Sequence, residues 1–162
     1  MSFLLRRPFI YVVVAIIVVV LVIAYSGILT PTTTLPAFTS ATPSSLSPIY
    51  IGGNTTLTAE IENKASTTKS VQFRILCGSP ELKFYDKTNG TLLSSPYNGT
   101  YYIMRYPKTR TMLSGEKWSI SIVIKGLDHG STSVTYTLYL EIYSDTQLAQ
   151  RKSIQLTVNR QS

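Results

Sequence analysis

The chain has 162 residues, 15 Lys or Arg against 8 Asp or Glu, a net charge of +7, one histidine and one cysteine. One cysteine excludes an intrachain disulfide and any multi-cysteine metal site, and one histidine excludes sites that need two imidazoles. The hydrophobic share of 44% is distributed unevenly, and that unevenness organises the chain.

Residues 1–7 end in Arg6 and Arg7, and Pro8 to Leu29 follow as one unbroken apolar run without a charged side chain. Twenty-two residues at about 1.5 Å each reach roughly 33 Å, enough for a hydrocarbon core of about 30 Å. The expectation is a single transmembrane helix over 8–29. Arg6 and Arg7 set the topology by keeping the N-terminus cytoplasmic and sending the rest of the chain outside the cell membrane. A cleaved signal peptide has a shorter apolar region, although Ala24-Tyr25-Ser26 resembles a cleavage site. A pilin-type leader is a further alternative, without a Gly or Ala junction after the arginines.

Residues 30–48 are dominated by Thr, Ser and Pro. Proline removes backbone donors, and Ser and Thr compete for backbone hydrogen bonds, so an extended tether is expected with a reach of at most roughly 60 Å. Such tracts are typical of O-glycosylated spacers.

From residue 49 to 162 the pattern has period two, the mark of strands with one buried face. Strands are expected at Thr56–Glu62, Lys69–Leu76, Leu82–Tyr85, Tyr101–Tyr106, Trp118–Lys125, Ser133–Tyr143 and Ser153–Val158. The short polar segment 63–68 reads as a hairpin connection between the first two. Asn89-Gly90, Asn98-Gly99, Ser114-Gly115, His129-Gly130 and Ser144-Asp145-Thr146 supply turns. About seven strands in roughly 110 residues predict an all-β domain, a single antiparallel sandwich of immunoglobulin type, with a small barrel as the alternative.

Gly53 to Asn63, Leu113-Ser114-Gly115-Glu116, Tyr143-Ser144-Asp145 and Ser153 to Val158 resemble the immunoglobulin-like modules of archaeal cell surfaces. Leu113-Ser114-Gly115-Glu116 departs from their pattern in lacking a proline. An N-terminal anchor followed by one such module also resembles the membrane-anchored accessory proteins of the archaellum, the archaeal flagellum. That resemblance implies a sandwich between membrane and surface layer that binds the surface-layer protein and holds the rotary motor static.

Chemistry-bearing residues are few. Cys77 at a strand end reads as a small buried hydrophobe, and His129 as a turn residue. Glu60 and Glu62 share the side of a strand opposite Leu57, Ala59 and Ile61, where a calcium ion or a lysine could meet them. No phosphate loop and no nucleic-acid signature is present, so neither enzyme nor cofactor is expected. Asn54, Asn89 and Asn98 each begin an Asn-X-Thr sequon and are candidate N-glycan acceptors.

Setting aside Arg6 and Arg7 leaves thirteen basic side chains against eight acidic, about +5 outside the membrane. Tyr101, Tyr102, Arg105, Tyr106, Lys108 and Arg110 cluster in the sequence as candidate partner contacts, since Tyr and Arg are enriched in binding surfaces. The partner classes are an acidic surface-layer protein or glycan, or another sandwich subunit in a homo- or hetero-oligomer. The expected role is a non-catalytic membrane-anchored envelope protein. The alternatives are a pilin-like filament subunit and a small accessory subunit of a membrane oxidoreductase or transporter.

Overall fold

The computed structural model describes residues 34–161. The apolar run 8–29 and Arg6 and Arg7 lie outside the described residues. Among the described residues no helix is long and apolar enough to cross a membrane. From Thr34 onward the chain forms one compact all-β unit. Its strands are β1 (Ala37–Phe38), β2 (Ile49–Tyr50), β3 (Asn54–Glu62), β4 (Lys69–Cys77), β5 (Leu82–Asp86), β6 (Tyr102–Arg105), β7 (Arg110–Met112), β8 (Lys117–Gly126), β9 (Ser133–Ser144) and β10 (Gln147–Asn159).

Two sheets result. One has the order β1-β3-β8-β5, and the other β2-β10-β9-β4-β6, with β7 also paired to β4. All pairings are antiparallel except β2 with β10, where Ile49 lies opposite Val158. The inner faces follow from alternation. Leu57, Ala59 and Ile61 of β3 and Trp118, Ile120, Ile122 and Ile124 of β8 are buried with Val71, Phe73 and Ile75 of β4, Leu138, Leu140 and Ile142 of β9, and Ile154, Leu156 and Val158 of β10. They form a single hydrophobic core. Complete burial of each large apolar side chain contributes about 1.5–3 kcal/mol, the main force closing the two layers.

The seven strands legible in the alternation are all present. Their pairing differs from expectation in one place: β3 and β4 do not form a hairpin. β3 pairs with β8, Ile61 opposite Trp118, whereas β4 pairs with β9, Phe73 opposite Ile142. The segment 63–68 therefore crosses from one sheet to the other. An apolar face buried across a sandwich and one buried beside a hairpin partner produce the same period, so alternation does not distinguish them. The crossing is held by Asn63, which is fully buried. Its side-chain amide donates to the carbonyls of Thr67 (3.0 Å), Met112 (2.9 Å) and Leu113 (3.1 Å), and its Oδ1 accepts from Ala65 N–H (3.1 Å).

The expected tether over 30–48 is corrected for its described part, 34–48. Here the chain is docked on the domain. Phe38 is buried and meets Phe73 edge-on at 6.2 Å between ring centres. Ala37 and Phe38 pair with Glu62 and Ile61. Thr42, 1% exposed, uses its hydroxyl to receive Glu60 N–H (2.9 Å) and to donate to Glu60 C=O (3.1 Å). Gln150 Oε1 accepts Phe38 N–H at 2.7 Å, and Ser45 bridges to Gln155 of the other sheet. Threonine and proline disfavour regular structure locally, yet a Thr hydroxyl can serve as a backbone partner, and interspersed Phe38 and Leu46 supply apolar contacts.

Candidate functional site

The pleat divides the tyrosine and arginine cluster that is contiguous in sequence. On β6, Arg105 lies opposite Arg74, Met104 opposite Ile75, Ile103 opposite Leu76 and Tyr102 opposite Cys77. Ile75 and Cys77 are core residues, so Tyr102 and Met104 turn inward while Ile103 and Arg105 turn outward. Tyr102 is half-buried, its ring 4.9 Å from that of Tyr97. Tyr106 packs against the core and meets Trp118 edge-on at 5.9 Å. Burial, and then the neighbouring Asp86 carboxylate, push its hydroxyl above the ordinary phenol range. Arg110 lies on β7, where it donates to Glu116 Oε1 at 2.6 Å. Lys108 is exposed in the connection between β6 and β7. Tyr101 and Arg105 are thus the members of the cluster that reach the outer surface of the larger sheet.

There they meet residues from distant strands. Arg74 lies opposite both Arg105 of β6 and Glu141 of β9, and Glu141 lies opposite Arg151 of β10. The row Arg105, Arg74, Glu141, Arg151 thus crosses four strands. Glu141 is 2% exposed, and its Oε1 accepts from Arg151 Nε at 2.9 Å and Nη2 at 2.5 Å. That hydrogen bond raises the pKa of the Arg151 guanidinium. Arg74 is occupied differently. Its guanidinium stacks on the Tyr143 ring at 3.8 Å and donates to Gln72 Oε1 at 2.8 and 3.0 Å. Tyr101 meets Tyr139 edge-on at 5.7 Å. A cleft of about 410 Å³ lies on this face, with Arg74, Asn98, Tyr101, Glu141, Tyr143 and Arg151 among its walls.

Like charges directly opposite on a sheet repel. Neither Arg74 nor Arg105 has an ion-pair partner among the described residues. This pair, flanked by tyrosines, is a surface that attracts anions. Sequence reading missed Arg74, Tyr139, Glu141, Tyr143 and Arg151. The available signal was the outward half of the β9 alternation, Tyr139-Glu141-Tyr143, set against the inward Leu138, Leu140 and Ile142.

Other candidates are placed as follows. Asn54, Asn89 and Asn98 are all exposed. Asn89 Oδ1 accepts Thr91 N–H, and Asn98 Oδ1 accepts the N–H groups of Thr100 and Tyr101. Glu60 lies 3.5 Å from Lys117, the lysine arrangement. Cys77 is buried, and burial raises its thiol pKa, which disfavours a thiolate. The His129 ring lies 3.1 Å from Val158 C=O through Nε2, and its Nδ1 accepts Ser131 N–H at 3.2 Å. Among the described residues no group of three or more His, Cys, Asp or Glu is placed to hold a metal ion.

No family model matches the chain, and no curated protein matches it in sequence. Solved structures with similarity include the Pseudomonas fluorescens alkylpurine DNA glycosylase AlkC bound to DNA with an abasic site analog, at 12% identity and a TM-score of 0.43. That match covers 69% of this chain and 28% of the glycosylase. A PapD-like domain of human CEP192 matches at 14% identity over 82% of this chain and 87% of that domain, with a TM-score of 0.39. A CARDB domain from Pyrococcus furiosus matches at 10% identity over 80% of this chain and 97% of that domain, with a TM-score of 0.41.

Proposed function

We propose that this chain is a non-catalytic, membrane-anchored envelope protein whose immunoglobulin-like sandwich binds an acidic extracytoplasmic protein, in an anchoring or stator role. The immunoglobulin-type reading is supported by strand order. In that fold's lettering, β1-β3-β8-β5 corresponds to A-B-E-D and β10-β9-β4 to G-F-C, while β6, which follows β5 in the chain, is an added edge strand beside C. The anchor reading is supported by the uninterrupted apolar run 8–29 behind Arg6 and Arg7.

One observation carries the binding reading: Arg74 and Arg105 stand side by side on a tyrosine-lined outer face without a carboxylate paired to either. An acidic surface would neutralise both, and the tyrosines would add contact area at low entropic cost. Surface-layer or archaellum proteins outside the cell are the partner class. Force would pass from lipid to an immobile lattice through this face, and no covalent step is needed.

The test is a mild-detergent pull-down of the full-length chain from its native membrane, with mass spectrometry of the bound proteins and of the chain's N-terminus. Recovery of surface-layer or archaellum proteins with an untrimmed N-terminus is the expected result. Arg105→Glu should then reduce that recovery at least tenfold with an unchanged melting temperature. Recovery of polytopic enzyme subunits, or an N-terminus trimmed at the apolar run in a filament fraction, would overturn the reading.

A further inference from the structure

The docking of residues 34–48 leaves only residues 30–33 between the apolar run and the folded unit, which begins at Thr34. The five Cα steps from Leu29 to Thr34 extend at most about 18 Å. On the reading that 8–29 spans a membrane, from which this inference follows, the end of the sandwich that receives Thr34 is held within that distance of the lipid. The roughly 60 Å of a free tether over 30–48 are not available.

That end is defined by the strands themselves. Thr34 Oγ1 donates to Lys64 C=O, directly after β3. Glu62 at the end of β3 pairs with Lys117 at the start of β8. Gly115 N–H donates to Asn63 C=O, and Asn63 donates to Leu113 C=O, which brings in the loop before β8. Asp145 N–H donates to Ser70 C=O and its carboxylate pairs with Lys69, which brings in the β9–β10 turn. Three of the six exposed large hydrophobic side chains among the described residues fall here: Leu113, 64% exposed, Leu148, 45%, and Leu35, 38%.

The charges at this end are compensated. Lys69, Arg110 and Lys117 are paired with Asp145, Glu116 and Glu60, and the exposed Lys64 and the half-buried Glu62 have no ion pair among the described residues, so that their charges offset one another. Exposed leucines, two in connections and one, Leu148, at the start of β10, with nearly electroneutral surroundings and the exposed Lys64, suit the headgroup zone, where apolar side chains are partly withdrawn from water and a lysine can reach phosphate. An acidic protein partner is favoured by the arginine face described above and has no counterpart here.

We propose that this end of the sandwich is a membrane-contact surface, seating Leu35, Leu113 and Leu148 in the headgroup region of a phospholipid bilayer. The domain is then braced on the lipid rather than swinging from it, and the β6-β4-β9-β10 face stands clear at the side for its partner.

The experiment uses the full chain with Cys77→Ala and a single bimane-labelled cysteine, reconstituted in phosphatidylcholine vesicles with brominated acyl chains. Ser66→Cys, exposed in the 63–68 segment, reports on the proposed contact and retains all three leucines. Tyr50→Cys reports on the opposite end, about 30 Å away along the ten residues of β8. The expected result is at least twofold stronger lipid quenching at position 66 than at 50, reduced to the level of position 50 by Leu113→Gln with Leu148→Gln. Equal quenching at both positions, in a chain that still floats with the vesicles, overturns the contact and leaves the anchor standing. A chain that fails to float with the vesicles overturns the anchor, and this proposal with it.

Discussion

The two sheets share a core but differ in what they show to solvent. On the outer face of β3 and β8, Thr58 meets Ser121 at 3.3 Å and Glu60 meets Lys117, while Lys83 of β5 lies opposite Lys125. That face is small and hydroxylic, and although it also carries a like-charge pair, it has no buried carboxylate beside it. On the outer face of β4 and β9, a carboxylate is buried at 2% exposure beneath arginines and tyrosines, and two arginines stand opposite one another. Both faces come from the same alternation of strands, and either would keep the domain soluble. Of the two outer faces only the second buries a carboxylate, Glu141, and burying a charge is costly unless it is paired, as Arg151 pairs this one. Function is therefore sought on the larger sheet.

The largest effect is expected where the two sheets are joined. Asn63→Ala leaves the carbonyls of Met112 and Leu113 without their side-chain donor inside the fold, and should cost about 3 kcal/mol in chemical denaturation. A loss under about 1 kcal/mol would mean that the crossing between sheets does not depend on this side chain.

The comparison between faces is sharpened by matched substitutions. Arg74→Glu on the larger sheet should weaken partner binding at least tenfold, about 1.4 kcal/mol, in a quantitative pull-down. Lys125→Glu on the smaller sheet, opposite Asn54 and Lys83, should leave binding within a factor of two. Equal losses would show that net charge alone drives association and that the arginine row has no special part.

The smallest effect concerns the loops at the two ends. The Asp145 carboxyl is held below its ordinary pKa by Lys69 and then Ser70 N–H, Glu116 by Leu113 N–H and then Arg110, and Asp128 by Gly130 N–H and then Arg160. Depressed carboxyl pKa values contribute stability that is present above the unfolded values, near 4, and is lost as pH falls through the lower folded values. The melting temperature should be flat from pH 7 to about 5 and decline below about 4. Asp145→Asn should make that decline shallower, as differential scanning at several pH values would show.

Much of the fold was legible because each long strand has one buried side. Trp118, Ile120, Ile122 and Ile124 announce β8 without reference to any other residue. The two-residue strands β1 and β2 were not legible, since Ala37–Phe38 and Ile49–Tyr50 are too short for a period. Residues 34–48 read as a tether because their polar composition conceals the hydrogen bonds that Thr42 makes once Glu60 is beside it. In the candidate site, Tyr101 and Arg105 stood out by composition. Tyr102 and Tyr106 stood out equally and turn toward the core, because adjacent residues of a strand face opposite ways.

The amino-acid sequence by itself determined an all-β domain after a long apolar run, the positions of seven strands, and the presence of one histidine and one cysteine. These follow from local alternation and from residue counts, which need no knowledge of neighbours. Tertiary structure alone decided that β3 and β4 belong to different sheets, that the Ser/Thr/Pro segment from Thr34 is part of the domain, and that Arg105, Arg74, Glu141 and Arg151 form one row. Register between strands far apart in the chain is set by how two apolar faces close on a common core, and that closure belongs to the whole domain.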